Sequence, residues 1–335
     1  MQSKTEKNTV KKTLLKTFYN FGAFAPFHRT TRGKILILTY HRFSRDANPS
    51  KVSANEFASH LAYLKKHNHI LSLPEAAEHL ENGKPLPRGA TVITIDDGYA
   101  DTYNIAFPLL KRYGFPATLF AVTDFLDEKL WLWTDLMRYV LLDTKTESLN
   151  VEFADGEKIE AKLTGENNRL VTAGRVNEQL KCLPDKEKDT KIKEISAYLN
   201  VKIPGLPTRE YAPINWEQAR EMDADNLKIE SHTVTHPILT NINQTRLDYE
   251  LQTSKARLEN VLGRKVEHFC YPNGNLNADV QASVEKAGYE SAVTTDYGFN
   301  GKQTNQFTLN RIDAPSQIEK FAQSASGFEA FRKQF

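Results

Sequence analysis

Six short apolar runs recur along the chain, and all but Pro116–Val122 close on polar or turn residues: Lys34–His41 (KILILTYH), Ala90–Gly98 (ATVITIDDG), Pro116–Val122, Leu227–His232, Glu267–Gly274 and Glu290–Asp296. Between them, apolar positions recur with helical spacing over Asn55–Lys66, Pro74–Glu81, Thr102–Tyr113, Leu247–Leu262 and Ala278–Ala287. Apolar strands alternating with amphipathic helices predict an α/β fold, with a parallel sheet and helices outside it. Polar residues gathered at the carboxyl ends of many strands point further, to a (β/α) barrel. The stretch 126–211 breaks the rhythm. It holds a Trp-rich helix start (Leu130–Asp135), a hairpin around Asp155–Gly156 and a highly charged helix over Asp185–Leu199. Pro and Gly in Ile203–Pro207 then return the chain to the barrel. The expected organisation is a basic, amphipathic segment 1–33 and a barrel over 34–335, with 126–211 as an insertion or lid.

Composition changes this picture little. A 40% hydrophobic content over 335 residues allows a substantial core. With 44 basic and 42 acidic residues, nothing suggests nucleic acid as the main partner. The two cysteines, Cys182 and Cys270, exclude a disulfide framework and suit a reducing compartment, so a cytoplasmic location is expected. Basic residues do crowd the start (Lys4, Lys7, Lys11, Lys12, Lys16), ahead of the aromatic run 17–27. That run is too short to span a bilayer, which needs about 18 apolar residues. Residues 14–27 are either a peripheral contact with the inner membrane surface or an N-terminal cap on the domain.

The sharpest chemical signal is Thr94-Ile95-Asp96-Asp97-Gly98. Side chains alternate along a strand, so two adjacent carboxylates at its end face different ways. Burying both without a cation is costly, although Asp-Asp-Gly alone is commonly a solvated turn. The second signal is Ser231-His232-Thr233-Val234-Thr235-His236, again after an apolar strand. Histidines at i and i+4 can face one cation from a single helical turn; alone, such a pair is more often a surface coincidence. One Asp and two His together leave coordination positions open, the layout of a catalytic metal site.

TIDDG and SHTVTH resemble the first two motifs of the polysaccharide deacetylases (NodB-homology, carbohydrate esterase family 4). The resemblance implies a distorted (β/α) barrel and hydrolysis of acetyl groups on a sugar, N-acetyl or acetyl ester, in a polysaccharide or lipid-linked glycan precursor. It makes Asp96 the general base and Asp97, His232 and His236 the ligands of a divalent metal, zinc first, with cobalt or nickel as alternatives. Tyr271-Pro272-Asn273 is similar to the groove-wall motif, whose amide after the Pro holds the oxyanion; here that is Asn273. Two features depart from the common pattern. Cys270 stands where the family often has an Arg that steadies the base. Arg311 is a candidate substitute, with an ordinary salt bridge as the alternative. No late Leu-x-His motif occurs; Thr39-Tyr40-His41 instead resembles a circularly permuted branch in which the acid-bearing strand comes first, making His41 the catalytic acid. Asp296 corresponds to a fourth motif that orders the site. Trp131, Trp133 and Trp216 are candidates for stacking on sugar rings, or simply core. The competing readings are an amidohydrolase of a non-sugar amide and a non-catalytic glycan-binding relative.

Overall fold

The computed structural model describes residues 13–329. Seven parallel strands close on themselves: β1 (Lys34–Tyr40), β2 (Ala90–Asp97), β3 (Ala117–Ala121), β4 (Leu227–Ser231), β5 (His268–Cys270), β6 (Ser291–Tyr297) and β7 (Leu309–Asp313). Each strand from β2 to β6 pairs with the next, and β6 with β7. β1 then seals the barrel, pairing β2 on one side (Ile37 with Val92) and β7 on the other (Leu38 with Ile312). The first strand of the chain thus fills the gap between the last and the second. Among the described residues closure leaves no long open edge, and β1, β2 and β3 are nearly continuously buried, as parallel strands covered by helices must be.

β7 was not among the predicted strands, since its polar Asn310, Arg311 and Asp313 hide the pattern. The predicted helix over Thr102–Tyr113 is a π-turn, Thr102–Ala106, running into an α-helix, Phe107–Tyr113. Helix Ala54–His67 starts where Ser53 and Glu56 satisfy each other's backbone donors in a capping box, a signal the sequence carries plainly.

Residues 133–201 build a core of their own from helix Trp133–Asp143, an antiparallel pair Ser148–Glu152 and Lys158–Lys162, and helices Gly165–Lys181 and Asp185–Tyr198. Met137, Val140, Phe153, Val176, Leu180, Ile192 and Ile195 are buried in it, and one barrel-loop residue, Ile238, joins them. Of the N-terminal segment, residues 1–12 lie outside the described residues. Beyond them Phe24 is buried in the main core and meets Phe328 edge-on at 5.7 Å, while Leu14, Phe18 and Phe21 are exposed, Phe21 at 85%. No helix among the described residues is long and apolar enough to cross a membrane.

Candidate active site

Asp96 and Asp97 end β2, both buried, and face different partners. Asp97 Oδ1 lies 3.6 Å from His232 Nε2 and 3.6 Å from His236 Nε2. Ligand-type atoms of the three residues all fall within 4.8 Å of one another. Asp97 takes a left-handed backbone (φ 77°) and Gly98 follows at φ 100°, where a Cβ would meet Leu126 Cδ1 at 2.8 Å. Only glycine suits that turn.

The two histidines do not share a helical turn, contrary to the expectation from their spacing. They sit in an irregular loop after β4, with Thr233 at φ 72° and His236 at φ 58°. His236 N–H donates to Thr233 Oγ1 (2.9 Å), and the fully buried Glu250 carboxylate accepts Val234 N–H (2.8 Å) and Thr235 N–H (2.9 Å). The loop's side-chain bonds, rather than helical geometry, bring both imidazoles to one carboxylate. His232 Nδ1 donates to Cys270 C=O (2.7 Å), which turns its Nε2 toward Asp97.

Asp96 has a different partner. Arg311, on β7, grips it with two bonds, Nη1 to Oδ1 (2.8 Å) and Nη2 to Oδ2 (2.7 Å). The guanidinium is itself held by Thr294 C=O (2.8 Å) and Thr94 Oγ1 (3.1 Å). Cys270 Sγ lies 3.1 Å from Nη2, so the small thiol occupies the side where a longer residue would compete with Arg311. His41, about half exposed, places Nε2 3.6 Å from Asp96 Oδ2.

A family model described as polysaccharide deacetylase matches residues 83–292, more than half of the chain. The chain belongs to the polysaccharide deacetylase family. It is 24% identical over 280 residues to the Bacillus subtilis protein YxkH, covering 83% of this chain and 71% of that protein. It is 32% identical to the poly-beta-1,6-N-acetyl-D-glucosamine N-deacetylase of Staphylococcus epidermidis, but over only 109 residues, 28% of this chain and 37% of that one. Among solved structures the fold is similar to Streptococcus pyogenes deacetylase PplD (TM-score 0.59, 20% identity, 88% of this chain and 99% of that) and to IcaB from Ammonifex degensii (0.56, 18%, 87% and 97%). The matched region contains Asp96, Asp97, His232 and His236. β1 with His41, and β7 with Arg311, lie outside it; barrel closure carries both to the same mouth.

The electrostatics of this deacetylase separate the paired carboxyls. Burial would raise Asp96, but the charge and hydrogen bonds of Arg311, with His41 beside it, outweigh burial and hold the carboxyl well below the usual carboxylate range. Asp97, with no such cation, is pushed by burial up to about 7. Burial pushes His232 down to about 4 and His236 well below the ordinary histidine range, so both imidazoles are unprotonated at neutral pH. One carboxylate short of a cation and two neutral imidazoles form a donor set that fits a divalent ion with positions left open.

Of the expected site residues, Tyr271, Asp296 and the three tryptophans do not join the cluster. Tyr271 is fully buried with its ring against Phe269 (5.3 Å), so its side chain belongs to the core. Pro272 opens a single 3₁₀ turn in which Asn273 has φ 55°, and Gly274 packs so closely on β6 that a Cβ would collide with Thr295 Oγ1 at 2.0 Å. Asp296 is exposed at the end of β6, and no ion pair or metal-type grouping among the described residues includes it. Nor are the tryptophans open stacking platforms. Trp131 donates to Pro204 C=O (3.0 Å), and Trp216 donates to Asp127 (2.7 Å) beneath the Arg257 guanidinium. The buried Trp133 donates to the His236 carbonyl (3.2 Å). Glu250 and Trp133 were missed as site supports because their partners are backbone groups 15 and 103 residues away.

Proposed function

We propose that this deacetylase is metal-dependent and removes the N-acetyl group of a sugar in a polysaccharide or lipid-linked glycan precursor. The observation that carries the reading is Asp97 Oδ1 standing 3.6 Å from both His232 Nε2 and His236 Nε2, with Asp96 clamped by Arg311 alongside. A divalent ion held by Asp97, His232 and His236 would supply Lewis acidity to the acetyl carbonyl and to an attacking water. Arg311 keeps Asp96 ionised, so that it accepts the water's proton as the C–O bond forms. The Asn273 N–H donates to the carbonyl oxygen as negative charge builds there. His41, on the solvent side of Asp96, gives a proton to the leaving nitrogen as the C–N bond breaks, and acetate and a free amine result.

The names of relatives that act on poly-beta-1,6-N-acetyl-D-glucosamine favour an N-acetyl substrate. Two free cysteines favour the cytoplasm. The exposed Leu14, Phe18 and Phe21, beside Lys16, Arg29 and Arg32, favour a peripheral contact with an anionic membrane surface, which co-flotation with anionic vesicles would detect and Phe21→Ser would weaken. The deciding assay is acetate release from a panel of N-acetylated sugars, O-acetylated sugars and non-sugar amides. Parent enzyme turning over the first group, with His41→Ala and Asp96→Asn impaired, supports the proposal; turnover confined to non-sugar amides overturns it.

A further inference from the structure

Two of the three proposed ligands, Asp97 and His236, have left-handed backbones at non-glycine residues. Such conformations are strained and persist only where their surroundings hold them. Thr233 and Glu250 supply part of those surroundings, and one helix of the inserted segment supplies the rest. At the start of helix Trp133–Asp143, the Trp133 indole N–H donates to the carbonyl of His236 itself (3.2 Å). Two residues on, the Asp135 carboxylate, 2% exposed, accepts the hydroxyl of Tyr99 at 2.5 Å, and Tyr99 lies two residues after Asp97. Trp133 is fixed in turn by Lys188, whose Nζ sits 4.7 Å from the ring centroid and pairs with Asp185 (2.6 Å). Ile238, just past His236, is buried in the inserted core. The ligand turns are therefore bonded to the insertion as well as to the barrel.

We propose that helix Trp133–Asp143 is the positioning element of the metal site, with Trp133 setting His236 and the Tyr99–Asp135 pair setting the Asp97 turn. The proposal rests on the metal reading of Asp97, His232 and His236. In metal centres generally, groups that orient the ligands from behind change metal affinity by about 10–100-fold when removed. Residues that merely fill a core change melting temperature and leave affinity alone.

The test uses the full chain and reads binding, not turnover: zinc affinity by competition with a chromogenic chelator, and the visible absorption band of the Co²⁺-loaded protein. Trp133→Phe keeps a ring in place and removes the N–H, while Tyr99→Phe removes one hydroxyl from the barrel side and so tests the same brace without altering the inserted core. Trp131→Phe is the control, since its indole N–H goes to Pro204 C=O and to neither ligand turn. Trp133→Phe and Tyr99→Phe are expected to weaken zinc about 10–100-fold and to shift the cobalt band, with Trp131→Phe matching the parent. Zinc affinity within about twofold of the parent and an unchanged cobalt band in both variants would overturn the inference while leaving the metal reading intact. A parent protein that binds neither ion overturns the metal reading, and the inference with it.

Discussion

Asp96 and Asp97 are neighbours on one strand and are buried alike, yet their surroundings treat them in opposite ways. Asp96 meets a guanidinium that is bonded on every side by Thr94, Thr294 and the Cys270 thiol, and it remains ionised despite burial. Asp97 meets two neutral imidazoles and, among the described residues, no Arg or Lys bonded to it, and burial drives its carboxyl up to about 7. The difference separates their roles. A carboxylate whose charge the protein already balances is available to exchange a proton with a substrate, and one whose charge is unbalanced is a site for an added cation. The same alternation of strand side chains that turns the pair apart lets one fold hold both states a residue from each other.

The comparison is broken most completely by removing the Asp97 side. Asp97→Ala or His236→Ala should abolish bound metal and reduce acetate release to background, read by elemental analysis beside the assay; stoichiometric metal in either variant would detach these residues from the site. Asp96→Asn should leave metal content unchanged and lower kcat by about 10²–10⁴-fold, the usual range for a general base. His41→Ala should fall toward the lower end of that range, with no change in melting temperature, because its imidazole is about half exposed. Arg311→Met strands a buried carboxylate, with an expected loss of about 3–5 kcal/mol in unfolding free energy. The sign on activity follows from the pairing. Arg311 lowers the Asp96 carboxyl, so its removal raises it and moves the acid limb of kcat/KM to higher pH, whereas an ordinary structural salt bridge would leave that limb in place. The smallest effect is on metal affinity itself. With Asp97 at about 7, a proton occupies the site below that pH and must leave when the ion binds. Zinc affinity should therefore be nearly flat above pH 7 and fall about tenfold per unit below it in a chelator competition series.

Much of this molecule is readable from local pattern, and the failures share a cause. TIDDG and SHTVTH each follow an apolar strand, so both the barrel and the Asp97, His232, His236 grouping could be expected from residues adjacent in sequence. Arg311 could be named but not chosen over a salt bridge, since only closure of the barrel through β1 and β7 brings it to a residue 215 positions away. β7 itself was hidden because Asn310, Arg311 and Asp313 leave it only two apolar positions, Leu309 and Ile312. Helix Gly165–Lys181 was passed over because its polar residues leave only a weak apolar stripe. The histidine loop was misread as helical for a related reason. Its shape is set by Glu250, from the α-helix that follows it, bonding consecutive amides, and i,i+4 spacing carries no trace of that. Trp133 was taken as a sugar platform or core; it is core, and its indole N–H also donates to the backbone of His236.

The most direct measurement is a titration of chelator-stripped enzyme with zinc, following acetate release from an N-acetylated oligosaccharide. Activity rising linearly and reaching its plateau at one equivalent per chain, and failing to rise in Asp97→Ala, is the expected result. Full acetate release from the stripped enzyme, or recovery unchanged by Asp97→Ala, would contradict the assignment of Asp97, His232 and His236 to a single metal ion.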